Sequence, residues 1–92
     1  MTLEFEWDHN KSESNLQKHG VSFEEAQTIF SDPDSQTYFD SIHSQDEPRY
    51  IDIGISSRGR LLIVVYTERN SKIRIISSRL CTPKEAQRYE TN

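Results

Sequence analysis

The apolar positions along this chain change their period twice. Phe5-Glu6-Trp7 alternates apolar, polar, apolar and reads as a short edge strand. The stretch 9–19 is almost wholly polar, with Leu16 as its one large apolar side chain. Asp8 supplies an N-cap, so 9–19 is predicted as a surface helix held by its caps and by Leu16. Gly20 can take the left-handed conformation that ends a helix, and Ser22 followed by Glu25 makes a capping box that opens the next. There Phe23, Ala26, Gln27 and Phe30 follow the i, i+3, i+4, i+7 pattern, and Ser31-Asp32-Pro33 stops the helix. Its phenylalanine face should pack on a sheet.

From Gln36 onward the period is two. Strands are predicted over 37–40, 50–56, 61–67 and 72–78, with a polar loop at 41–48. Ile51, Ile53 and Ile55 share one face. The strand through LLIVVY is apolar on both faces and so should be central. Ser57-Arg58-Gly59-Arg60 and Glu68-Arg69-Asn70-Ser71 are turns short enough to force antiparallel hairpins. Thr82, with Pro83 after it and Glu85 three residues on, opens a last helix that reaches about Tyr89. The predicted class is therefore α+β: two N-terminal helices packed on a four-stranded antiparallel sheet with a short C-terminal helix, in one domain spanning 1–92.

Composition narrows the chemistry. A chain of 92 residues supports a modest core without metal or disulfide staples. The single cysteine, Cys81, has no internal partner, and no Cys/His cluster has zinc-ligand spacing, so no metal site is expected. The longest apolar run is six residues against the roughly 20 of a membrane span, and the start MTLEFEWDH is acidic rather than a basic leader. A cytoplasmic protein with no membrane partner is the expectation.

The net charge of −4 conceals a division: residues 1–57 carry −9 and residues 58–92 carry +5. The basic half suits an anionic polymer and the acidic half a basic protein, unless the two neutralise each other across the fold. Lys72 and Arg74 share a strand face by period two, whereas Arg79 has the opposite parity unless a bulge intervenes. Such cations on a strand are also an ordinary guard against edge pairing. Among the histidines, His19 stands at a helix C-terminus beside Lys18, where the helix dipole favours positive charge. His9 is expected to be merely solvated, and His43 lies in the acidic loop SIHSQDEP, a poor place for a phosphate. Trp7 is expected in the core rather than as a base-stacking platform.

Five segments in this order, FEWD, NLQKHGVSFEEA, RGRLLIVVYTER, KIRIISSR and EAQRY, resemble the BrnT family of bacterial toxins, the ribonuclease partners in type II toxin–antitoxin pairs. The resemblance covers nearly the whole chain. It implies a RelE-like fold, RNA cleavage without a metal or other cofactor, and neutralisation by a cognate antitoxin of the BrnA type. DNA would then be met only through that antitoxin. Carried onto this sequence, the resemblance places His19 as acid or base, Arg74 and Arg79 on the scissile phosphate, and Lys18, Arg58, Arg60 and Arg69 on the RNA backbone. Lys18, Glu85 and Tyr89 remain alternatives for proton transfer. The competing reading is an inactive RNA- or protein-binding module of the same fold. A DNA-reading helix-turn-helix around Gly20 is disfavoured, because 23–32 offers Glu24, Glu25 and Asp32 to a groove and no arginine.

Overall fold

Polar caps, not apolar content, delimit the first helix. In the computed structural model, which describes residues 2–91, α1 (His9–His19) begins where Asp8 accepts a hydrogen bond from the Lys11 amide. It ends at Gly20, whose φ of 70° is the left-handed cap. Its anchor differs from the expectation: Leu16 is half exposed, and Ser12 and Asn15 are the buried residues.

The second helix is shorter than its periodicity suggested. α2 (Phe23–Gln27) passes into a 3-10 turn at Thr28–Ser31. The tighter winding rotates Ile29 inward, where it is fully buried, and leaves Phe30 partly exposed. Ser22 caps the Glu25 amide as predicted. The Glu25 carboxylate does not close the box; it turns inward to Arg60.

The sheet has five strands rather than four and is mixed rather than antiparallel. It comprises β1 (Phe5–Glu6), β2 (Gln36–Phe39), β3 (Tyr50–Ile55), β4 (Leu61–Arg69) and β5 (Lys72–Leu80), in the order β1-β5-β4-β3-β2. β1 pairs in parallel with β5, Phe5 opposite Ile73 and Glu6 opposite Arg74. The other pairs are antiparallel, and β4 is central as its two-sided apolar pattern required. The β4–β5 hairpin turns through Asn70 and Ser71, both at positive φ. α3 (Pro83–Glu90) opens with the complete Thr82–Glu85 capping box, and none of its residues is buried.

One face of the sheet carries the core. Val21, Phe23, Ala26 and Ile29 pack on Leu62, Val64, Tyr66, Ile73 and Ile75, with Trp7 edge-on to Phe23 at 6.0 Å. Asn15 seals the outer edge of β5 beyond β1. Its amide nitrogen donates to the carbonyls of Ser78 (2.7 Å) and Val21 (2.9 Å), while its oxygen accepts from the Ser78 amide at 3.1 Å. The side chain thus stands in for the missing strand neighbour. The opposite face is left to α3 and the loop between β2 and β3.

Candidate RNA-binding groove

The alternation of β3, β4 and β5 puts Ile51, Ile53, Ile63 and Val65 on the face away from the core. The parity of β5 would send Arg74 and Arg79 to opposite faces, but a bulge prevents it. Tyr66 pairs with Ile75 and Val65 with Ser77, so Ile76 is an extra residue on β5. As a result Arg74 lies opposite Thr67 and Arg79 opposite Ile63, both on the open face. These partners stand four positions apart on β4, about 13 Å along the strand.

α3 and the 40–49 loop wall this face into a groove of about 420 Å³ with an isoleucine and valine floor. Arg49, Arg79 and Arg88 line it beside Tyr38, and the Arg88 guanidinium lies 4.7 Å from the Tyr38 ring centre. The Nε of Arg49 is buried without a hydrogen-bond partner among the described residues. Such an atom is a donor awaiting an acceptor.

Arg79 is held by Glu85 through two hydrogen bonds, Nη1 at 2.7 Å and Nη2 at 2.8 Å, and Nη1 also donates to the Leu80 carbonyl. Three of its five N–H groups are thereby used, leaving Nε–H and one Nη2–H as a second fork along the side of the guanidinium. The pairing with Arg79 draws the Glu85 carboxyl down to about 2 against a smaller opposing effect of burial, so Glu85 stays ionised. Glu85 positions the arginine without blocking its free edge. Tyr89, at the other end of the same motif, donates to Asp32 at 2.7 Å. That bond, with burial second, pushes its phenol up to about 12.

A second group of arginines lies where β1, β4 and the loop meet. Arg69 donates to both oxygens of Glu47, and Arg74 stands 3.6 Å from Glu6. Hydrogen bonds from Arg69 lower the Glu47 carboxyl against burial, with the charges of Arg49 and Arg74 adding to the effect. Together with Glu25–Arg60, these pairs join acids of the first half of the chain to bases of the second. Part of the charge division is therefore cancelled across the fold.

The remaining predicted residues lie elsewhere. Lys18 and His19 are exposed at the α1–α2 corner and do not line the groove. Arg60 is committed to the fold. Its Nε donates to the 95% buried Glu25 at 2.9 Å, and Nη2 bonds both Glu25 and the Gly20 carbonyl. Arg58 approaches Glu25 only to 3.8 Å and is largely exposed.

Arg49 and Arg88 were not among the residues expected here, and His43 was set aside for its acidic surroundings. Arg49 shares the parity of Ile51 and Ile53, a signal the chain did contain. Arg88 lies three residues after Glu85, on the same side of a helix. For His43 the local signal was Asp40 three residues before it, but its place on the groove wall depends on how the loop closes.

The open face of the sheet gathers Arg49, Arg79 and Arg88 over an apolar floor, a surface whose charge suits an anionic polymer. The family model for the ribonuclease toxin BrnT of type II toxin–antitoxin systems matches residues 7–85, and the chain belongs to that family. It is a ribonuclease toxin, and the other member of such a pair is an antitoxin. The fold is similar to that in the 1.1 Å crystal structure of the Brucella abortus ribonuclease toxin BrnT. The TM-score is 0.68 at 21% identity, over 88% of this chain and 99% of that one. No curated protein sequence matches the chain.

Proposed function

We propose that RNA is cleaved in the groove of the open sheet face, with Arg79 on the scissile phosphate and Arg69 and Arg74 on neighbouring phosphates. The observation that carries this reading is the β5 bulge, which turns Arg74 and Arg79 to one side. The free Nε–Nη2 edge of Arg79 suits two phosphate oxygens, and it would stabilise the charge that grows on them as the phosphorane forms. The roughly 13 Å between the Arg74 and Arg79 positions favours successive phosphates over a shared one. Lys18, His19 and Arg58 then serve as flanking backbone contacts, and Arg60 drops out because Glu25 holds it.

The reaction in this reading uses side chains alone. The 2′-oxygen attacks phosphorus and the 5′-oxygen leaves, giving 2′,3′-cyclic phosphate and 5′-hydroxyl ends. An antitoxin of the BrnA type covers the basic face, is the only route to DNA, and acts with the toxin in the cytoplasm. The RelE-like comparison belongs to the same proposal.

The test is cleavage of a labelled RNA in excess EDTA by the parental protein and by the Arg79→Ala and Arg79→Lys variants. The parental rate is expected to survive chelation. Arg79→Ala should lose about 10²- to 10³-fold, as removal of a transition-state donor does, and lysine should not restore it because it lacks the planar fork. Parental activity in Arg79→Ala would remove the groove from the reaction. Magnesium-dependent recovery after EDTA would remove the side-chain mechanism.

A further inference from the structure

The loop that walls the groove is closed at its neck. The Asp40 amide donates to the Arg49 carbonyl at 2.9 Å, and the Arg49 amide donates to Ser44 Oγ at 2.8 Å. Within this closure Asp40 grips His43 twice: Oδ2 lies 2.9 Å from the ring Nδ1, and Oδ1 accepts from the His43 amide at 3.3 Å. The Asp40 side chain is nine-tenths buried, while the imidazole is 64% exposed on the groove wall. Burial works against the Asp40 charge, but the bonds from the His43 ring and amide outweigh it and hold the carboxyl below its ordinary value.

An ionised carboxylate only accepts, so Nδ1 must carry the proton that it receives. The remaining ring nitrogen, Nε2, then presents a lone pair. A base whose tautomer is set by a third group is the recurring arrangement of proton-transfer sites. The charged and titratable groups around the ring are Asp40, Tyr38, Arg49, Arg79, Glu85 and Arg88 on the groove wall, and Asp46 and Glu47 with it on the loop's other side.

We propose that His43 is a catalytic residue that takes the 2′-hydroxyl proton through Nε2, with Asp40 as its positioning residue. The inference rests on the reading that RNA is cleaved in this groove. In the step, the proton of the 2′-hydroxyl passes to Nε2 as the 2′-oxygen–phosphorus bond forms. The phosphorus–5′-oxygen bond breaks with its electron pair on the 5′-oxygen, which takes a proton from water. The imidazolium returns its proton to solvent. One phosphorus–oxygen bond replaces another, and no oxidant or co-reactant is needed.

The experiment measures cleavage rate against pH, RNA affinity and melting temperature on full-length parental protein, His43→Ala, Asp40→Asn and Arg79→Ala. His9→Ala serves as control, because that imidazole lies on α1 beside Glu13, outside the groove. His43→Ala is expected to lose about 10²- to 10⁴-fold in rate, the usual loss for a general base, with RNA affinity and melting temperature unchanged. The acid limb of the parental pH–rate profile should vanish with the imidazole. Asp40→Asn can offer Nδ1 a carbonyl oxygen but not a charge, and should lower the rate by a smaller factor at equal affinity. His9→Ala should match the parent. If Arg79→Ala is crippled while His43→Ala cleaves at the parental rate, or keeps the acid limb, the dyad is wrong and the groove stands. If neither variant is impaired, the groove itself is wrong.

Discussion

Replacing Asn15 by alanine tests how the edge of β5 is held. The side chain is buried and satisfies three backbone groups: the carbonyls of Val21 and Ser78 and the amide of Ser78. Alanine leaves all three without that partner, and each buried group left unpaired costs about 1–3 kcal/mol. Water entering the vacated space recovers part of this, which brings the expected loss to about 3–5 kcal/mol. A chain of this length has a total stability on the order of 5–14 kcal/mol, so the variant is expected to be marginal. At about 4–8 °C per kcal/mol, its melting temperature should fall by about 12 °C or more. Asn15→Asp, which keeps the acceptor and loses both donors, should be at least as damaging at neutral pH. Urea unfolding followed by circular dichroism, with slope and midpoint fitted separately, is the assay. Ser78 directly precedes Arg79, so on the proposed role of Arg79 RNA cleavage should fall with stability in the same preparations. A loss below about 1 kcal/mol at unchanged slope would show that water replaces the carboxamide and that β5 needs no side-chain partner at its edge.

Two other groups yield predictions from the same reasoning. Arg60→Ala strands the buried Glu25 carboxylate, whereas Glu25→Gln leaves an arginine that can reach water. The arginine deletion should therefore cost more, about 3 kcal/mol against about 1–2 kcal/mol, by urea midpoint. Its hydrogen bonds to Arg60, opposed by burial, hold the Glu25 carboxyl below the ordinary range. That contribution is complete above the unfolded value and is lost as pH falls through the folded one, so acid should narrow the gap between parent and Arg60→Ala. Asp52 has the opposite sign: burial raises its carboxyl, outweighing the hydrogen bonds from Thr37 and Tyr66, the latter at 2.9 Å. A raised carboxyl costs stability as pH rises through the unfolded value toward the folded one. Asp52→Asn should remove that slope from a melting-temperature profile above pH 4, and an unaltered slope would refute it.

Local rules carried much of this protein. Both caps of α1, the N-caps of α2 and α3, the two hairpin turns and the central place of β4 all follow from residues within a few positions of one another, or from a period repeated along one strand. The arginines of β5 were legible as candidates for the same reason. What needed the folded chain was every feature that closes over a long separation. β1 joins β5 in parallel across nearly seventy residues, and a two-residue strand has no pattern that names its partner. Ile76 became a bulge because β5 must match β4 at both ends while its core residues stay inward, a condition that β5 alone does not contain. Arg60 looked like a free cation until α2 brought Glu25 beneath it. His43 looked misplaced among acids, yet one of those acids, Asp40, orients it on the wall of the arginine groove. Sequence determines which residues are able to do chemistry; the pairing of distant strands and the closing of a loop decide which of them meet.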